Sequence, residues 1–274
     1  MKISKVLAIG GSDPSGGAGI QADLKTIAEL GLYPYTAVSA VTAQNSSGVY
    51  SSEILTSKNL RDQIKAVLAD GRVDGVKTGM LGSSENIMEV VFFISSLAIE
   101  YSVIDPVIRS NDGKPLTSEA SIAVMKKRLL PYCFMVTPNI MEASYLTGID
   151  IDSEEDCLEA AKILKDTGVE WVLIKGGHLN ADKAVDLLFD GKREYYFESD
   201  KIRTKNVRGT GCMLASAICA YLVMGLKPYE AVDKAKAYVY NKISKAVPLG
   251  KGSLQATHFN IGQTEGDAVE NRAD

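Results

Sequence analysis

The sequence predicts an α/β fold: a central, mostly parallel sheet flanked by helices, with a small antiparallel hairpin at one edge. Three observations point there. Short apolar runs of strand length alternate with amphipathic stretches of helical length, the pattern of successive βαβ units. The apolar runs end in glycine, aspartate or proline, at the edge where an open parallel sheet binds ligands. Lastly, Asp190-Gly191 separates two strand-like runs, a hairpin signal.

Residues 6–9 form the first strand and empty into Gly10-Gly11. Residues 35–41 lead to Gln44-Asn45, 76–77 to Gly79, 102–104 to Asp105-Pro106, 134–136 to Thr137-Pro138, and 171–174 to Lys175-Gly176-Gly177. Apolar spacing predicts helices at 21–30, 58–69, 85–96, 118–129, 154–167, 211–224 and 229–246. Ser153, followed by Glu155 and Asp156, caps the fifth of these. Strands at 184–189 and 192–197 flank the Asp-Gly pair as a two-residue turn. No linker, repeat or composition shift divides the chain. A single domain over 1–260 is expected, followed by a polar tail, 261–274, expected to be disordered.

Composition narrows the function classes. The chain has 274 residues, 46% hydrophobic and 23% charged, which suits a folded core and excludes a disordered or collagen-like chain. Lys and Arg number 30 against 34 Asp and Glu, a net charge of −4, so no basic excess exists for nucleic acid or an anionic membrane. Four cysteines without CxxC spacing and two histidines argue against a zinc site. The start, MKISKVLAIGGSD, is too short in apolar residues for a signal peptide, so a cytoplasmic protein with reduced thiols is expected. The apolar stretch 213–226 is interrupted by Ser216 and falls short of the roughly 20 residues a membrane span requires, so it reads as a buried helix.

Two glycine-rich stretches stand at predicted strand ends. The first is Gly10-Gly11-Ser12-Asp13-Pro14-Ser15-Gly16-Gly17-Ala18-Gly19. No lysine follows Gly19, so it is not a Walker A loop, and its GGxxxxGGxG spacing is not GxGxxG. It is either a flexible βα turn or a substrate loop. The second, Lys205-Asn206-Val207-Arg208-Gly209-Thr210-Gly211-Cys212, runs straight into the apolar helix. Gly-x-Gly at a helix start leaves backbone N–H groups aimed at one point, with the helix dipole behind them, so Gly209, Thr210 and Gly211 outline an anion hole. Cys212 falls in the first turn, where that field favours thiolate and lowers the thiol pKa. It is equally a candidate for a small core residue, as Cys219 two turns on is.

The stretches AIGGSDPSGGAGIQADLKT, VTAQN, KTGMLG, DPV, TPNIMEASYLTG, IKGGHL and KNVRGTGC, in that order over about 250 residues, resemble the hydroxymethylpyrimidine/phosphomethylpyrimidine kinases of thiamin biosynthesis, in the ribokinase superfamily. The resemblance implies one ribokinase-like domain, commonly a homodimer. It also implies a kinase using ATP and Mg²⁺ to phosphorylate 4-amino-5-hydroxymethyl-2-methylpyrimidine, and then its monophosphate to the diphosphate.

Site residues follow by the same resemblance. Cys212, after Gly-Thr-Gly, is the catalytic base, where many sugar kinases of the superfamily carry Asp. A thiolate is adequate because a loose transition state needs only late proton removal. Gln44 offers an amide that both donates and accepts, matching an aminopyrimidine edge, although taken alone it reads as a solvated turn residue. Asp23 is implied as a substrate contact, with Gly11, Met80 and Val107 as walls. Otherwise Asp23 is a helix-dipole partner and Met80 and Val107 are core. Asn139 is implied near the phosphates and Glu142 on a magnesium-bound water, the pair also being spaced as a helix cap. Asp105 is a hard oxygen donor suited to Mg²⁺. Lys175 is implied at the ATP phosphates, and Thr204 and Lys236, by approximate position, at the adenosine. One departure stands out: Arg208 occupies a position where relatives carry His, and it either pairs with a phosphate or faces solvent.

A pyridoxal or pyridoxine kinase of the same superfamily is the nearest rival; Gln44 and Gly-Thr-Gly-Cys rather than Gly-Ala-Gly-Cys favour the pyrimidine. A non-catalytic nucleotide-binding relative would show damage at the base, metal or anion-hole positions, and none is seen. A thiol hydrolase would require His178 or His258 beside the cysteine, and neither lies in a motif. The glycine loop and residues 108–115 are the expected covers of the site.

Overall fold

The computed structural model describes residues 3–97, 99–110, 112–176, 183–202, 204, 207–256 and 258. The first half runs β1 (Lys5–Ser12), α1 (Gly19–Glu29), β2 (Tyr33–Asn45), β3 (Gly48–Ile54), α2 (Ser57–Ala69), β4 (Gly75–Thr78), α3 (Ser84–Leu97), β5 (Tyr101–Ile104) and α4 (Glu119–Val124). The second continues with β6 (Met135–Val136), α5 (Ile140–Thr147), α6 (Glu154–Lys165), β7 (Trp171–Lys175), β8 (Lys183–Phe189), β9 (Glu194–Asp200), β10 (Val207–Arg208), α7 (Thr210–Val223), α8 (Pro228–Ser244) and β11 (Leu254–Gln255).

Strand order in the main sheet is β3-β2-β1-β4-β5-β6-β7-β8-β9. The strands from β2 to β7 run parallel, while β3, β8 and β9 are antiparallel to their neighbours. Both faces are covered, which is why β1, β6 and β7 carry near-continuous apolar runs. Leu7, Ile9, Val76, Ile104, Val136, Val172 and Ile174 point to a core shared with α2 to α6. Val6, Ala8, Val103, Met135 and Leu173 point to the other, shared with α1, α7 and α8. The period-2 alternation of Cβ directions thus sorts one apolar run into two cores. α7, apolar on almost every side, is buried from Met213 to Ala220, as the sequence predicts.

Three expectations are corrected. An antiparallel edge was expected on one side only, but β2 runs on through Gln44 and Asn45 and folds back as β3. Residues 48–54 lie mostly exposed, so they carry no alternating apolar signal. The hairpin turn has four residues: Phe189 pairs with Glu194, and Asp190 Oδ1 accepts the N–H groups of Lys192 and Arg193, both at 2.7 Å. Helix 118–129 stops as an α-helix at Val124 and widens into a π turn before Pro131. The expected tail 261–274 and His178 lie outside the described residues.

Candidate active site

The C-terminal ends of the parallel strands carry Gly10-Gly11, Gln44, Thr78-Gly79, Asp105, Thr137 and Lys175 along one edge. Two β-bulges sit there. One shifts register between Gly10 and Gly11, the other between Ala43 and Gln44, and such bulges re-aim side chains at a sheet rim. Gly11 packs on Met80, since a Cβ on Gly11 would meet Met80 Sδ at 3.2 Å. A Cβ on Gly79 would meet Val107 at 4.0 Å. Gly11 therefore abuts Met80, with Val107 beside the neighbouring Gly79.

The glycine loop is held by a carboxylate. Asp13 Oδ1 accepts Ser15 N–H at 2.8 Å and Ser15 Oγ–H at 2.7 Å, while Oδ2 accepts Ala18 N–H at 2.8 Å. The second glycine motif locks against the first. Gly209 has φ +75°, and a Cβ there would strike Gly17 O at 2.0 Å, so only glycine fits. Arg208, just before it, is buried at 7% exposure. Its Nη2 donates to Gln44 Oε1 and lies 3.5 Å from Asp13 Oδ2. It does not face solvent, in contrast to one of the two sequence readings, and its Nη1 is left without a hydrogen-bond partner. Burial of a guanidinium follows from the two oxygens waiting for it.

On the opposite side of the α7 N-terminus, Lys175 Nζ donates to Asp105 Oδ1 at 2.9 Å and lies 3.9 Å from Glu142 Oε2. A Cβ on Gly211 would sit 3.5 Å from that ammonium and 3.8 Å from Asp105 Oδ2. Asn139 and Glu142 form a reciprocal capping box on α5, with both bonds at 2.8 Å, so the cap reading is realised. Burial, together with repulsion from Asp105, pushes the Glu142 carboxyl up to about 7 despite Lys175. Burial opposes the Lys175 charge, yet Asp105 and Glu142 outweigh it and hold the ammonium above its ordinary range.

Cys212 lies between the two clusters. It is partly exposed, and Gly19 N–H, in the first turn of α1, donates to its sulfur, so two helix N-termini converge on it. Its expected pKa direction is corrected: burial pushes the thiol up to about 11, and the Lys77 charge recovers only part of that. One turn further along α7, Ser216 Oγ donates to Asp23 Oδ1 at 2.8 Å, and Lys77 Nζ donates to the same oxygen at 2.8 Å. Both members of the Lys77–Asp23 pair are sealed, at 0% and 1% side-chain exposure. Burial opposes the Lys77 ammonium, but the Asp23 carboxylate keeps it above the ordinary lysine range.

The structure therefore brings together Gly11, Gln44, Met80, Val107, Gly209, Thr210, Gly211, Cys212, Asp105, Lys175, Asn139 and Glu142. Three further candidates are engaged in other contacts. Asp23 is buried, its Oδ1 accepting from Lys77 and Ser216 while its Oδ2 has no hydrogen-bond partner. Lys236 ties α8 to the sheet edge, donating to Asp186 Oδ2 and Ala184 O, both at 2.9 Å, and to Phe197 O. Thr204 is exposed, its N–H bonded to Ile202 O, and it has no recorded contact with the cluster among the described residues. Of the two expected covers, residues 108–110 and 112–115 are drawn together by an Arg109–Pro115 bridge. They dock on β3, where Asp112 Oδ2 accepts Val49 N–H at 3.3 Å. Sequence reasoning missed Asp13, Lys77 and Ser216 as site-builders. A lysine inside the strand Gly75–Thr78 was the available signal, because a buried lysine demands a counter-charge.

A sequence model of the phosphomethylpyrimidine kinase family matches residues 13–257. The chain belongs to that family. Hydroxymethylpyrimidine/phosphomethylpyrimidine kinase from Bacillus subtilis is 41% identical over 260 residues, covering 94% of this chain and 96% of the relative. Thiamine biosynthesis bifunctional protein ThiED from Geobacter sulfurreducens is 45% identical over 254 residues. There the match covers 93% of this chain, which spans about half, 52%, of that longer protein. Among solved structures, pyridoxal kinase from Staphylococcus aureus in complex with AMP-PCP and pyridoxal superposes with a TM-score of 0.86 at 36% identity, covering 94% of each chain. The phosphomethylpyrimidine kinase family thus shares its ribokinase-like architecture with a pyridoxal kinase, and this chain has the sheet order and glycine loops set out above. No helix among the described residues is long and apolar enough to cross a membrane.

Proposed function

We propose that this chain transfers the terminal phosphoryl group of ATP to the hydroxymethyl group of 4-amino-5-hydroxymethyl-2-methylpyrimidine, and then phosphorylates the monophosphate to the diphosphate. One observation carries the reading. Four consecutive residues at the head of α7 touch both halves of the site: Arg208 binds Gln44 on the wall side, and Gly211 abuts Lys175 and Asp105 on the other. An alcohol against the wall and a triphosphate at the lysine would meet over the free N–H groups of that turn. Phosphoryl transfer asks for alignment and field there rather than covalent work.

In this reading Gln44 and the Gly11–Met80–Val107 wall hold the ring, Gly209, Thr210 and Gly211 stabilise charge on the transferring group, and Lys175 meets the phosphates. Cys212 takes the hydroxyl proton late. With its thiol held at about 11, the ionised fraction is small at neutral pH, and Lys77 with two helix N-termini sustains it. Asp105 and Glu142 fit a Mg²⁺ ion. Both are hard oxygen donors converging on one cation, and a pair suffices for an ion that keeps waters and phosphate oxygens. Among the described residues no larger metal-ligating cluster exists. When bound, the ion would neutralise phosphate charge. One continuous sheet supports a single domain over 1–260, four free thiols support a cytoplasmic location, and family membership supports a homodimer.

A second reading, pyridoxal kinase, is favoured by the structural likeness to the Staphylococcus aureus enzyme. Steady-state rates with ATP and either the aminopyrimidine or pyridoxal separate the two. The expected outcome is a kcat/KM at least tenfold higher for the aminopyrimidine, and a preference for pyridoxal refutes the proposal.

A further inference from the structure

We propose that Arg208 is a positioning residue that locks the Gln44 side-chain amide in one of its two orientations, and thereby fixes which way round an aminopyrimidine lies in the site. The inference rests on the reading above, because it concerns the same heterocycle.

The backbone of Arg208 is pinned. Val207 pairs with Leu254 and Arg208 with Gln255, and the next residue is the Gly209 N-cap wedged on Gly17. The guanidinium is buried, with the Gln44 carbonyl and the Asp13 carboxylate as its recorded partners. Asp13 is already committed to Ser15 and Ala18, so it anchors the cation while Gln44 receives a directed N–H. Arginine has five donors and no acceptor. Only the oxygen end of the Gln44 amide can face it, and the NH₂ end must turn away. A neutral imidazole, which donates at one nitrogen and accepts at the other, would impose no such choice.

Among the described residues, Gln44 Nε2 has no recorded acceptor, and Gln44 itself is partly exposed at the bulge. Its NH₂ is therefore the end left for a ring nitrogen, with the second lone pair of Oε1 beside it for the exocyclic amine. This pattern has a hand. In a 4-amino-5-hydroxymethylpyrimidine the carbinol is on the carbon next to the amino-bearing one, so turning the amide over turns the ring over and sends the carbinol to the opposite side. A locked amide keeps the alcohol on the side of Cys212.

The test is kinetic coupling between the two positions, with Tm and the KM for ATP recorded for each variant. Arg208→Met frees the amide and is expected to lower kcat/KM for the aminopyrimidine about tenfold, the loss of one or two directed hydrogen bonds, with the KM for ATP unchanged. Arg208→Lys keeps a donor-only cation and is expected to restore kcat/KM to within about threefold. In a Gln44→Ala background, Arg208→Met should cost nothing further, because no amide remains to orient. An equal tenfold loss in that background overturns the proposal and places the action of Arg208 on the glycine loops instead. Should Arg208→Met not fold, Gln44→Glu, which keeps the Arg208 contact but has no donor, carries the test alongside Arg208→Lys. The lock requires a tenfold loss in the first and near wild-type values in the second, and the reverse pattern sinks it. A wild-type enzyme that ignores the aminopyrimidine but phosphorylates pyridoxal refutes the substrate reading instead. The lock is then judged separately, by whether binding of the aminopyrimidine in calorimetry still shows the Gln44–Arg208 coupling.

Discussion

Lys77 and Lys175 stand on strands of the same sheet, both act electrostatically on Cys212, and the protein uses them in opposite ways. Lys77 has 0% side-chain exposure, and its recorded partner is one equally buried carboxylate. Lys175 keeps 15% exposure at the mouth and is shared between Asp105 and Glu142. A charge with no route to solvent or ligand is a fixed field. A charge held by two carboxylates at an open edge can exchange one partner for a phosphate. The residue type is the same, and depth decides what it does.

Four experiments bear on that contrast. Lys77→Met strips the counter-charge from a buried Asp23 and should destabilise the fold by about 3–5 kcal/mol in denaturant titration, with Asp23→Leu in the same chain recovering most of it. A stable but inactive single variant would break the contrast, since Lys77 would then be a ligand hand rather than a field. Cys212→Ser should lower kcat by about 100-fold or more while leaving both KM values within about threefold. In the wild type, log kcat/KM should climb with pH toward a thiol held at about 11, and this climb should vanish in the serine variant. Lys175→Gln should raise the KM for ATP by about tenfold with little change in Tm, the size expected for one charge-assisted bond to phosphate. A large Tm loss would instead make Lys175 a second Lys77.

The smallest effect concerns Glu142. Its carboxyl is held at about 7 when folded, against an ordinary value of 4.5, so the folded state binds the extra proton between those values. The stability this contributes is complete below about 4.5 and disappears as pH rises through about 7. Glu142→Gln should therefore flatten the fall in Tm over that window, and an unchanged slope would show that Lys175 already keeps Glu142 ionised.

Much of the fold was legible because the central parallel strands are buried on both faces and several of them write short apolar runs into the chain. β3 was not legible, because residues 48–54 bury little and leave no period. The glycine-built start of α7 could be read from Gly209-Thr210-Gly211, and at Gly209 a positive φ against Gly17 O admits nothing larger. The fate of Arg208 could not be read. Its neighbours in sequence say nothing of Gln44 or Asp13, which arrive from 164 and 195 positions away. The partners of Lys236 and Asp23 could not be read for the same reason, being fixed by packing across the sheet rather than by any local pattern. The thiol of Cys212 departs from the helix-field expectation because desolvation outweighs the dipole.

The head of α7 also acts as a ruler. In the proposed reaction one rigid turn sets the span between the amide assigned to the ring and the lysine assigned to the nucleotide, and hydrogen-bonded backbone does not stretch. The monophosphate is longer than the alcohol by a phosphoryl group, so the ring must retreat along the Gly11–Met80 wall before a second transfer can begin. A methyl group added at Gly11, arriving 3.2 Å from Met80 Sδ, would crowd that retreat while sparing the shorter acceptor, splitting one enzyme's two successive reactions at a single carbon atom.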